Sequence, residues 1–127
     1  MRRKLIVPIL LLPVLVACAT FQQNTYRSLY TAGTSYDLAM TTVSTLQKQG
    51  IISEAQRKEI NVLANVYYVA YQTSVTAFET YKMADTSANK DKVLVALQNV
   101  FSKWREFSAY VNRIRPSTLP PEIEEVK

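Results

Sequence analysis

The chain has 127 residues, 48% of them apolar, which is enough for one small domain with a packed core and no more. Two glycines exclude a phosphate-cradling glycine loop and argue against a turn-dense β-protein, while the lack of histidine and the single cysteine exclude the usual zinc sites, a disulfide framework and any histidine-dependent triad. Three of the 15 basic residues are Arg2, Arg3 and Lys4; from Cys18 onward twelve bases face ten acids, a balance of +2 that offers no basic face for nucleic acid.

Residues 1–17 read as an address. Arg2-Arg3-Lys4 is a short positive region, and Leu5 to Val16 is a twelve-residue run of Leu, Ile and Val interrupted only by Pro8 and Pro13. A spanning helix needs ~20 apolar residues, so this run has the length of a signal-peptide core. Small residues then surround the one cysteine, in Leu15-Val16-Ala17-Cys18-Ala19. Leu15-Val16-Ala17-Cys18 resembles the lipobox of bacterial lipoprotein precursors. The resemblance implies cleavage between Ala17 and Cys18, a diacylglycerol on the Cys18 sulfur and, in many bacteria, a third acyl chain on its amine. Two or three chains anchor stably at ~0.8 kcal/mol per buried CH₂, where one binds only marginally. With Ala19 rather than aspartate after the cysteine, the resemblance further implies the periplasmic face of the outer membrane. The alternatives are an ordinary signal peptide cut after Ala17 or Ala19, and an uncleaved anchor.

Helical periodicity governs the rest. In residues 20–49, Tyr26, Leu29, Gly33, Tyr36, Met40 and Val43 recur at threes and fours, a helix seam that drifts to Leu46. Gly33 marks either a close approach of a neighbouring helix or a break, and Gly50 suits the left-handed residue that ends the helix. Ser53-Glu54-Ala55-Gln56 is a capping box opening a second helix over 53–83, with Glu54 and Lys58 spaced as an ion pair. Its seam is Ile60, Leu63, Tyr67, Ala70, Ser74, Ala77 and Tyr81. A polar break at 85–89 precedes a third helix over 88–115, whose seam Val93, Leu97, Val100, Trp104, Phe107, Val111 and Ile114 is the most regular in the chain. Residues 116–127, with Pro120-Pro121 and three glutamates, show no periodicity and read as a flexible tail. Short links between long helices predict an all-α, up-down-up three-helix bundle over 18–115. The rival is a homo-oligomer in which two chains form six helices.

No catalytic set emerges, and no cofactor or metal is expected. The acids fall mostly on polar helix faces beside lysine or arginine; Asp37, next to Tyr36, is the one close to an apolar seam. Among eight tyrosines, Tyr67, Tyr68 and Tyr71 form a candidate partner surface, against the alternative that Tyr67 and Tyr71 fill the core and only Tyr68 is left over. The expectation is a membrane-anchored helical lipoprotein of the cell envelope with a binding or structural role, not an enzyme. In general look it also resembles small helical lipoproteins of unknown role, including prophage-borne ones linked to lysis or to exclusion of a second phage. A subunit or chaperone of an envelope complex is the other reading.

Overall fold

The structure, a computed structural model, describes the backbone of residues 7–123 and the side chains of residues 19–123. The side chains of residues 1–18, including Ala17 and Cys18 of the predicted cleavage and lipidation site, and residues 124–127 lie outside the described residues. Three helices follow in order: α1 (Val7–Lys48), α2 (Glu54–Met83) and α3 (Ser87–Ile114). They form the expected all-α, up-down-up bundle, with α2 packed most closely on α3 and α1 laid antiparallel against α2. Helix α1 begins well before residue 20, so the backbone of the N-terminal apolar run continues helically into the bundle. Pro8 falls in its first turn, where a missing amide hydrogen is no loss. Among the described residues no helix is long and apolar enough to cross a membrane.

The links are fixed by local chemistry. At the end of α1, Ile51 N–H donates to the Leu46 carbonyl and Gly50 N–H to that of Gln47, a Schellman closure that needs the positive φ of Gly50 (74°). The capping box forms in both directions: Gln56 N–H donates to Ser53 Oγ at 3.2 Å, and Ser53 N–H donates to Gln56 Oε1 at 2.9 Å. Glu54 pairs with Arg57 rather than with Lys58. Thr86 caps α3 through Asn89 N–H.

The α3 seam holds at every position from Val93 to Val111, and Ile114 is half-buried. On α2 the buried line is Ile60, Ala64, Tyr67, Ala70, Ser74, Phe78 and Tyr81, with Leu63 and Ala77 at its margin. On α1 the predicted seam holds at Leu29, Val43 and Leu46, with Gly33, Tyr36 and Met40 half-buried, but the buried face is wider than predicted and leaves Tyr26 out. Thr25, Ser28, Leu29, Ala32, Ala39, Val43 and Leu46 are buried, while Tyr26 is 63% exposed. The α2 face opposite carries large rings, so small α1 residues let the two backbones approach, and Tyr26 and Tyr30 are left exposed.

The stretch after Pro116 has neither helix nor strand, in keeping with its lack of periodicity, but its first part is held in place. Ser117 takes a left-handed turn (φ 59°) and the chain doubles back along α3. Leu119 and Ile123 enter the same core cluster as Ala39, Val43 and Trp104. Trp104 Nε1 donates to the Pro120 carbonyl at 3.0 Å, Ser108 Oγ to that of Pro121 at 3.3 Å, and Asn112 Nδ2 to that of Leu119 at 2.9 Å. Asn112 Oδ1 in turn accepts from the amides of Thr118 and Leu119. Residues 104, 108 and 112 share one face at one-turn spacing, so they form a ladder that holds an extended strap.

Candidate binding groove

The three tyrosines singled out on α2 are separated by their helical positions. Tyr67 is fully buried; its hydroxyl donates to the Ala32 carbonyl at 2.7 Å, its ring stacks on Tyr36 (centroids 6.1 Å apart) and meets Trp104 edge-on at 5.4 Å. It is a core residue, which removes it from the predicted partner surface: a tyrosine one step off the α2 outer face points into the α1 interface. Tyr68 is 38% exposed and Tyr71 is half-buried, and these two do line an open surface.

That surface is a groove of about 320 Å³ between α1 and α2. Tyr68 forms its centre, with its ring 5.1 Å from that of Tyr36 and 6.2 Å from that of Tyr71, the planes tilted by 37° and 36°. Tyr30 and Asp37 form the α1 side, two turns apart along the same helix face. Gly33 is the floor. A Cβ at this position would lie 2.9 Å from Tyr71 Oη and 3.2 Å from its Cζ, so the glycine is where the Tyr71 ring settles onto the α1 backbone. The helix is unbroken there, which selects close approach over a break. The Thr34 hydroxyl donates back to the carbonyls of Tyr30 and Thr31 and is spent on its own helix.

The electrostatics are simple. Asp37 is exposed, and among the described residues its carboxylate takes part in neither ion pair, the two being Arg57–Glu54 and Lys103–Glu106. A second cavity of about 460 Å³ lies between the end of α1 and the turn at residues 115–118. Its Thr41, Thr42 and Thr45 hydroxyls all donate to carbonyls one turn back on α1, which leaves Arg115 as its charged group. Among the described residues no group of three or more acids or cysteines is arranged to hold a metal ion. Sequence reasoning flagged Asp37 and Gly33 singly but missed that α1 brings them, with Tyr30 and Tyr36, against Tyr68 and Tyr71. The signal was the spacing 30-33-37 on one helix face.

Burial, and secondarily the neighbouring Tyr71, push the Tyr67 hydroxyl well above the ordinary tyrosine range. An unfolded tyrosine ionises near pH ~10. The folded chain therefore retains a proton that the unfolded chain has lost, and this stabilisation is complete below about pH 10 and declines as pH rises toward the folded value. Tyr67→Phe is expected to be about 1 kcal/mol less stable than the parent at pH 8, through loss of the bond to Ala32. That gap should close by about pH 11, because only the parent pays to keep its hydroxyl neutral. Urea midpoints at pH 8, 9, 10 and 11 measure it; a gap independent of pH contradicts the assignment.

Compared with known proteins, the chain matches no family model, no curated protein and no solved structure.

Proposed function

We propose that this chain is a small lipid-anchored protein of the bacterial cell envelope, tethered through Cys18 at the periplasmic face of the outer membrane, with a binding role and no chemistry of its own. The observation that carries the anchor is the order of its parts: Arg2-Arg3-Lys4, twelve apolar residues, then Leu15-Val16-Ala17-Cys18. The cysteine is the sole thiol, so an exported chain has no internal partner for it, and acylation accounts for its place. The observation that supports binding is the tyrosine groove, which brings tyrosine rings together with an exposed carboxylate on an open surface between α1 and α2.

Mass spectrometry of the protein from membranes tests the anchor. The expected mature chain begins at residue 18 and carries a diacylglycerol, with or without an N-acyl chain, and Cys18→Ala moves the protein out of the membrane fraction. An unmodified residue 18, or an intact leader in the parent protein, overturns the anchor. A bundle without an address would then remain.

A further inference from the structure

The groove's chemistry points to a ligand class. We infer that it binds the ammonium group of a small organic cation, which sits against the rings of Tyr68 and Tyr71 with Asp37 as counter-ion. This rests on the reading of the chain as a binding protein and deepens it. Among the described residues three cationic side chains lie over rings: Lys82 over Phe78 at 5.0 Å, Lys90 over Phe21 at 4.7 Å and Arg113 over Tyr110 at 5.4 Å. Among the described residues none lies over a ring of the groove, and none pairs with Asp37. The groove thus presents tyrosine rings and a negative charge with no cation placed over them among the described residues.

That combination selects among ligands. An anion meets the Asp37 carboxylate. A purely apolar group would take water from that carboxylate and return nothing. A cation gains from the carboxylate and from the negative faces of the tilted rings together. A volume of about 320 Å³ lies at the low end of the ~300–1,000 Å³ range of ligand pockets, which suits a compact head group rather than a folded partner. Because the groove is open, the affinity expected is weak, on the order of millimolar, and falls with salt.

The test is titration of the full chain, with labelled tyrosine rings and in a polyoxyethylene detergent, by tetramethylammonium chloride against sodium chloride at equal ionic strength. Saturable NMR shifts are expected for Tyr36, Tyr68 and Tyr71, with Tyr110 and Tyr81 unmoved. Asp37→Asn, an exposed change that leaves the fold intact, is expected to weaken binding about fivefold and to remove its salt dependence. Gly33→Ala supplies an independent variant: it displaces Tyr71 by crowding its hydroxyl end, and is expected to weaken binding without lowering the melting temperature, since alanine favours the helix. Equal shifts with sodium chloride, or unchanged affinity in Asp37→Asn, overturn the inference. If N-acetylglucosamine moves the same rings and tetramethylammonium does not, the cation inference falls while the binding reading stands. If neither moves them, both fall.

Discussion

Replacing Leu119 and Ile123 together by alanine is expected to lower the unfolding free energy by about 4 kcal/mol or more, and the melting temperature by roughly 15 °C or more. Both residues are more than nine-tenths buried in a cluster that includes Trp104 and four α1 side chains, Ala32, Ala39, Val43 and Leu46. Alanine at each site removes three carbon atoms from a packed interior and leaves the space unfilled. Had residues 117–123 moved freely in solvent, the same changes would sit within about 0.5 kcal/mol of the parent. Thermal unfolding of the full chain, followed by its helical circular dichroism, separates these outcomes. The strap has a structural reason to exist. Helix α2 touches both neighbours closely, whereas α1 and α3 do not close upon each other to the same degree. Leu119 and Ile123 fill the resulting seam, so the bundle has a fourth element that is neither helix nor strand.

How far this arrangement was legible follows from where the signal resides. Helix α3 could be read residue by residue, because Val93, Leu97, Val100, Trp104, Phe107 and Val111 are large, apolar and spaced for one face. The capping box at Ser53 and the glycine closure at Gly50 were equally legible, since each is a local hydrogen-bond pattern. Helix α1 was legible in part: Leu29, Val43 and Leu46 are buried as the spacing predicts, and Tyr26 is not. Its interface is built of Thr25, Ser28, Ala32 and Ala39, chosen for size, whereas a hydropathy pattern is drawn to Tyr26. Which face needs small residues depends on what the partner helix carries, and that is not a property of α1 alone. The strap escaped for a related reason. An extended segment on a helix has no period, and its partners Trp104, Ser108 and Asn112 look like an ordinary seam residue and two scattered polar ones. In the groove, Asp37 and Gly33 stood out as single residues; the concavity depended on the antiparallel register that sets Tyr36 beside Tyr68 and Gly33 beneath Tyr71.

Trp104→Ala is expected to cost about 3–5 kcal/mol, the range for emptying a buried aromatic site. The indole is 1% exposed, meets Tyr67 and Phe107 edge-on at 5.4 and 5.8 Å, and ties the strap through Nε1. Trp104→Phe divides these roles. It keeps a ring in the core and removes the donor to Pro120, and is expected to cost about 1–2 kcal/mol for that bond together with the small space left by the shorter ring. The two sets of substitutions also probe one another. If the indole acts through the strap, Trp104→Phe costs less in the Leu119→Ala, Ile123→Ala background than in the parent, because the bond it removes is already loosened there. A coupling of about 0.5 kcal/mol or more in the double-mutant cycle is expected. Fluorescence supplies a second readout from the same samples, since this is the only tryptophan. Its emission in the parent should be that of a dry indole, and should move to longer wavelength in the strap variant while helical content is retained. Strictly additive costs with an unchanged emission maximum would mean that α1 and α2 alone shield the indole, and the strap's hold on α3 would then contribute nothing to the core.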